Sequence, residues 1–526
     1  MKQGFLPDQG NAYSQQVNTA TVELAAPEKK FNDAWCALLF IGHVILIAFI
    51  GFTDGVAEVD GSAAAEQPSL DYVYPETDTG SSKYAAEMLG GLCVCVVMGI
   101  VLSMIYVKIC ISLGASLIHV STKFMIGLYV VLTLINFSVG SVLGGVFCFV
   151  FAAILCCWYY AVYSRIEFAG ANLAVACEAL QQFPTLFVAA FAALLLNFGW
   201  IVLWCLAMLG TIKPSTVSGV ETDIGTFDSR LCISTAYDGE YEDGSVNPNP
   251  TCASTAGCCS CADGTGGASW EGDSSCPAVG MGGGLYFAML ISFYWGSTVI
   301  SNVMHCTTAG AVATWWFSKD LGMTPVADSF FRACTYSFGS ICFGSLLVAI
   351  LKAIRQMLKE AEKNKNAQMF FCVIQCLLGI IESLLEIFNR YAFCYVAIYG
   401  YDFRKAGKAV FDMFKKLGWT TIINDDLIEN ALSFGAMGVG LIAGLVAYLY
   451  SVSVDLSATY TAPMVIVGIC IGFGMASVTL SVVSSAVATV FVCFAENPES
   501  VFSTHPEQGN KSGVLFTNDD MFGGSD

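Results

Sequence analysis

The chain has 526 residues, 56% of them hydrophobic and only 12% charged, with a net charge of −19. Soluble domains carry about a quarter charged residues, so these proportions exclude a chain that is mostly water-exposed. The acidic balance excludes nucleic acid as a partner, and no small apolar core accounts for repeated apolar runs of bilayer length, about 20 residues each.

Met1 to Lys30 is polar and lacks a basic segment leading into a short apolar stretch, so the sequence predicts no cleaved signal peptide and the first apolar run serves for insertion. Residues 1–33 read as a tail, residues 34–494 as a membrane domain and residues 495–526 as a second tail. Within 34–494 the apolar runs predict crossings near Ala34–Phe52, Leu89–Ile111, Phe124–Phe137, Ser141–Tyr163, Leu186–Leu209, Leu285–Phe317, Ala333–Leu351, Phe370–Tyr399, Leu432–Ser451 and Met464–Phe494. The expected fold is all-α, a polytopic bundle of about ten transmembrane helices. Long continuous apolar runs, without alternation of period two, exclude a β-barrel.

Basic residues near the crossings orient the chain. Lys29 and Lys30 put the N-terminus in the cytoplasm, Lys108 to Lys123 and Arg165 fall on the same side, and the acidic segment 53–88 falls outside, as does 210–284. That second outer loop holds Cys232, Cys252, Cys258, Cys259, Cys261 and Cys276 in a polar, Gly- and Ser-rich context. It reads as a disulfide framework in an oxidising compartment. A zinc knot from Cys258, Cys259 and Cys261 is the alternative, disfavoured because the loop has no His and adjacent cysteines poorly fit one tetrahedral ion. No metal or other cofactor is expected. Residues 165–183 are polar enough to predict a cytoplasmic interfacial helix ended by Pro184, and 400–430 reads as a cytoplasmic loop. Two basic stretches, Lys352–Lys365 and Arg404–Lys416, flank a single predicted crossing and cannot both lie inside if it crosses, so eight crossings stand as the alternative to ten. Small-xxx-small pairs, Gly140 with Gly144, Gly440 with Gly444 and Gly468 with Gly472, predict helix contact faces.

Four histidines and no Walker-type phosphate loop leave no visible enzyme constellation or ATP-hydrolysing engine. Polar residues inside predicted crossings are the candidates for function: His43, Asn136, Asn197, Asn302, His305, Glu382 and Glu386. The stretch Leu285–Asp320 is the richest. Phe293, Tyr294, Trp295, Asn302, His305, Trp315 and Trp316 combine aromatic faces with hydrogen-bonding groups, a combination suited to a cation. Trp315 and Trp316 also stand just before Ser318, Lys319 and Asp320, where an interfacial aromatic belt is expected. Glu382, Glu386 and Arg390, four residues apart, form one polar stripe.

Several blocks resemble the choline transporter-like family: Lys30-Phe31-Asn32-Asp33, CTTAGAVATWWFSKD from Cys306, RACTYSFGSICFGSLLVAILKAIR from Arg332, NRYAFCYVAIYGYDFRKAGKAVF from Asn389 and VFVCFAENPES from Val490. The short first outer loop resembles fungal, plant or protist members more than animal ones. The resemblance implies ten crossings with both termini cytoplasmic, in the plasma membrane, and movement of choline or a related amine without ATP, with proton exchange. The partners it implies are a choline-like small molecule and the lipid bilayer. On that reading Tyr294, Trp295, Asn302 and Trp315 are the substrate-binding candidates and Glu382 or Glu386 the proton-coupled group. A receptor or scaffold using the cysteine-rich loop to hold a partner is the rival reading, and headgroup enzymology is disfavoured by the lack of clustered Asp or His.

Overall fold

A computed structural model describes residues 30–56, 79–211, 283–318, 324–361, 368–417, 420–497 and 499–506. The described residues are helical or in short connections and contain no strand. The six loop cysteines, most of both predicted outer loops and the greater part of both tails lie outside the described residues.

The helices run in chain order as α1 (Ala34–Ile50), α2 (Thr79–Ser138), α3 (Val142–Val162), α4 (Ile166–Gln181), α5 (Thr185–Thr211), α6 (Gly283–Phe317), α7 (Pro325–Cys334), α8 (Phe338–Ala361), α9 (Gln368–Tyr399), α10 (Phe403–Leu417), α11 (Thr420–Ser453), α12 (Ala458–Glu496) and α13 (Glu499–Thr504). Among the described residues eight helical stretches are long and apolar enough to cross a membrane: Ala34–Thr53, Glu87–Ser138, Val142–Gln181, Thr185–Thr211, Gly283–Phe317, Phe338–Lys359, Ile422–Ser453 and Thr459–Glu496. The helix α9, interrupted by Glu382, Glu386 and Arg390, is not one of them.

Two predicted crossings fall in α2, whose 60 residues break only at Leu113, where φ is −127° and ψ is 21°. Tyr106, before the break, donates from its hydroxyl to the carbonyl of Ala431 at 2.7 Å, and the Phe124 ring, after it, lies 5.2 Å from that of Phe434. A straight helix would separate Tyr106 and Phe124 by about 27 Å, yet their partners are three residues apart on α11. The two arms therefore bend sharply back toward the same helix. At the bend the backbone of Gly114 passes the carbonyl of Gly170, close enough that a Cβ on Gly114 would sit 2.7 Å from that oxygen.

The chain divides into two compact units. The smaller takes in His43–Ser69 and Ile201–Phe293. In it His43 Nε2 lies 2.8 Å from Ser292 Oγ, and the Trp204 indole N–H donates to the carbonyl of Met289 at 3.0 Å. These bonds satisfy polar groups that hydrocarbon would otherwise penalise.

The described helices of the larger unit, Met1–Gly42, Leu70–Trp200 and Tyr294–Asp526, pack around a main core, with a smaller cluster of Cys95, Ala447, Leu456 and Met464 beside it. Trp315, Trp316, Tyr391, Phe393 and Tyr395 are the largest of the main core's fully buried side chains among the described residues. The helix α4 belongs to that core: eleven of its sixteen residues are buried, from Ile166 to Leu180, so the polar residues that predict an interfacial helix occupy a minor edge of it. Close approach of α11 and α12 follows the glycine pattern as expected. A Cβ on Gly468 would meet that of Ala447, and Gly472 packs on Ala443 and Gly440. Gly140 differs, since its φ of +78° and open surroundings make it the turn between α2 and α3 rather than a contact face.

Three blocks of the family resemblance meet in one knot. Asn32 donates from Nδ2 to the carbonyl of Gly400 at 2.7 Å and from its backbone N–H to Tyr336 O at 3.1 Å, while Asp33 Oδ2 accepts from Ser340 Oγ at 2.7 Å and from Phe403 N at 3.0 Å. The carboxylate thus joins the starts of α1, α8 and α10, with Asp33 itself in the left-handed region at φ 49°. The last described segment caps the end of α6: Trp316 Nε1 donates to Asn497 O at 3.2 Å, Thr504 Oγ1 donates to Trp316 O at 2.9 Å, and the Trp315 ring stacks 4.2 Å from His505.

Candidate functional site

A cavity of about 490 Å³ lies inside the larger unit, walled by α5, α6, α8, α9, α11 and α12. Its walls are long helices whose apolar faces pack outward and whose few polar residues turn inward, the arrangement hydrocarbon imposes on intramembrane polar groups.

From α6 come Asn302 and His305, three residues apart and therefore on one face. Asn302 Nδ2 donates to Ser345 Oγ at 2.9 Å. His305 Nε2 donates to the carbonyl of Arg390 at 2.9 Å, and its Nδ1 lies 2.9 Å from Ser485 Oγ. From α9 come Glu386, Asn389 and Arg390. Lys352 of α8 pairs with Glu386 at 2.8 Å, and Asn389 Nδ2 donates to Gly344 O at 2.9 Å. Asn389 and Asn197, the latter from α5, also line this region, and their amide oxygens are buried with no donor among the described residues. A buried acceptor in that condition is costly unless a ligand or water supplies the donor. Phe473 is the only Phe, Tyr or Trp lining the cavity among the described residues.

The charged centre of the site is Arg390. Its Nη1 lies 3.1 and 3.2 Å from the two carboxylate oxygens of Asp425 and also pairs with Glu429, which accepts a second bond from Ser484 Oγ. One guanidinium therefore serves two carboxylates, so these three groups sum to one negative charge, and Asp426, on a neighbouring cavity, adds a further acid. Asp425 is 6% exposed and lies outside the lining of this cavity, whereas Glu429 is 37% exposed and faces it. A second cavity of about 450 Å³, bounded by α3, α9 and the first turns of α11, shares Glu386, Arg390 and Glu429 with the first. Arg390 and Glu429 thus form part of the wall between two spaces.

Of the residues singled out in the sequence, Asn302, Glu386, His305 and Asn197 line the main cavity. Tyr294 is half-buried on α6 outside that lining. Trp295 is 4% exposed, its indole N–H donates to Cys342 O at 3.0 Å and its ring forms a T-shaped pair with Phe40, so the side chain is used in packing. Trp315 is 2% exposed against His505, nearer the end of α6 than the cavity. Glu382 pairs with Arg355 at 2.6 Å and lines neither cavity. The pairs Lys352–Glu386 and Arg355–Glu382 join two cations of the basic stretch to the glutamate stripe of α9.

Asp425 and Glu429 were hidden because an apolar-run criterion starts the crossing at Leu432 and leaves 400–430 as loop. The helix α11 instead begins at Thr420, and the acids occupy its second and third turns. Their signal was the spacing of four in DDLIENAL, which puts both carboxylates on one helical face.

Comparisons with known proteins bear on the whole assembly. The pattern of the family described as plasma-membrane choline transporter matches residues 146–499, more than half the chain and every helix that walls the cavity. A CTL-like protein of Dictyostelium discoideum is 26% identical over 519 residues, covering 96% of this chain and 78% of that protein. Protein PNS1 of Gibberella zeae is 36% identical over 256 residues, 46% of this chain, and that of Yarrowia lipolytica 29% identical over 385 residues, 70% of this chain. These matches take in 48% and 59% of the two fungal proteins, so the chain spans about half the length of the first and rather more of the second. The chain belongs to the choline transporter-like family.

Proposed function

We propose that this protein carries a small organic monocation of the choline class across the plasma membrane, exchanging it for protons and using no ATP. Membership of a transporter family supports the general role. The observation that carries the substrate class is the sharing of Arg390 between Asp425 and Glu429 within a helix-walled cavity. One negative charge in excess among these three groups is neutralised by one bound monocation.

The remaining groups suit the rest of such a molecule. A choline hydroxyl donates to an unpaired amide oxygen, Asn197 or Asn389, and the methyl groups meet the apolar wall and Phe473. The volume of about 490 Å³ is within the range of about 300–1,000 Å³ usual for small-molecule sites. Asn302, which lines the cavity, remains a binding residue in this reading. Glu386, which lines both cavities, is the proton-coupled glutamate, and Glu382 stays with Arg355.

Ten crossings with both termini cytoplasmic agree with this reading. The eight apolar stretches become nine when the bent α2 counts as two arms, and ten when α9 crosses beside α8 with its glutamates paired. The cysteine-bearing segment 210–284 then lies outside, where disulfides form. Purified protein in liposomes is expected to take up labelled choline saturably, and faster with an acidic lumen. Failure to take up choline, ethanolamine and related amines alike, with or without the gradient, would contradict the proposal.

A further inference from the structure

Arg390 is held in an asymmetric way. Its backbone is fixed, since its carbonyl accepts from His305 Nε2 at 2.9 Å and the neighbouring Asn389 is tied to Gly344 O. The side chain is 27% exposed and lies between the two cavities, both of which it lines. One of its two partners, Asp425, is 6% exposed and borders only the second cavity, and the other, Glu429, is 37% exposed and opens to both. Ser484 keeps a hydrogen bond to Glu429 that does not depend on the guanidinium. The guanidinium is, in chemical terms, an organic monocation tethered beside the carboxylate that an incoming monocation must use.

We propose that Arg390 is an internal competitor of the cargo, occupying Glu429 in the empty protein and retiring onto Asp425 alone when a cation arrives. This inference rests on the carrier reading above and deepens it by naming the residue that sets the affinity and selectivity of the site. The charge count stays simple throughout. Asp425, Glu429 and Arg390 sum to one negative charge when empty and to zero with a monocation bound, so each cation on Glu429 is exchanged for the other. A neutral molecule of the same size has nothing with which to displace the guanidinium. The competition lowers apparent affinity by the fraction of time Glu429 is unoccupied by Arg390, and the same competition helps release the cargo. Because Arg390 and Glu429 are common to both cavities, movement of the guanidinium also alters the wall between them.

A charge-matched series tests this, by equilibrium binding of labelled choline to the purified full-length protein in detergent. In Asp425→Asn the guanidinium loses its resting partner and stays on Glu429, so binding weakens by about tenfold or more. Adding Arg390→Gln to Asp425→Asn restores the single negative charge of the native cluster with no competitor. That double variant binds choline more tightly than the native protein, by about three- to tenfold, and in liposomes turns over more slowly because nothing displaces the cargo. A double variant as weak as Asp425→Asn, or no tighter than the native protein, would overturn the inference. If Asp425→Asn does not fold, the comparison of the double variant with the native protein decides alone. Native protein that binds neither choline nor ethanolamine would instead overturn the carrier reading, and this inference with it.

Discussion

Glu429→Gln is the sharpest single perturbation of the site. It removes the one carboxylate that is both exposed to the cavity and in excess of its protein partner, while Arg390 keeps Asp425 at 3.1 Å in a balanced pair. Two unit charges about 4 Å apart interact by about 4 kcal/mol at an effective dielectric of 20. Desolvation of the incoming cation and competition from Arg390 take back part of that, leaving a net loss of about 2–3 kcal/mol, or about 30- to 150-fold in affinity. The amide is nearly isosteric and keeps a hydrogen-bonding oxygen for Ser484 Oγ, so packing is preserved. Equilibrium binding of labelled choline, with thermal unfolding of the same preparation, is the assay. An unchanged unfolding temperature with affinity reduced in this range is expected. Native affinity in a variant with the glutamine verified would refute the electrostatic argument, whatever else the cavity does.

Other consequences follow from the same geometry. Glu386→Gln is expected to abolish the acceleration of uptake by an acidic lumen, whereas Glu382→Gln leaves it intact; transport measured with and without the gradient separates the two glutamates. Trp295→Ala removes a buried indole and its bond to the carbonyl of Cys342, a loss of about 3–5 kcal/mol of stability by analogy with other buried aromatic truncations; its folded yield falls, and Trp295→Phe, which folds, binds choline with native affinity. Gly472→Leu drives a side chain into Ala443 and Gly440 and lowers the unfolding temperature, while Gly474→Leu, whose Cβ meets nothing within 4 Å, does not.

Much of the helical framework was legible because hydrocarbon leaves few options. Apolar runs delimited α1, α3, α5 and α6 to within a few residues, and the glycines of α11 and α12 announced their close contact. Polar helix ends were the weak point. The chain around Lys108–Lys123 reads as a connection by charge, yet it is helical on both sides of Leu113, and Asp425 and Glu429 read as loop although they begin a 34-residue helix. A hydropathy criterion discards the very residues a carrier needs inside.

The aromatic residues illustrate a second limit. Trp295 and Trp315 have the chemistry to hold a cation, but sequence cannot reveal that Phe40 and His505 already pack against them. Asn302 and Glu386 were found because a polar group inside an apolar run stands out, and both line the cavity. Arg390 was visible as one member of a stripe, but its partners come from a helix 35 residues further on. Only the tertiary arrangement brings one cation between two acids.

The most direct test of the central claim is choline uptake by reconstituted native protein and Glu429→Gln, measured side by side with an acidic lumen. The account predicts saturable uptake by the native protein and, at low substrate concentration, a rate reduced by more than about tenfold in the variant. Equal saturable uptake by both would contradict the assignment of Glu429 as the cation's partner, and uptake by neither, for choline and ethanolamine alike, would contradict the carrier itself.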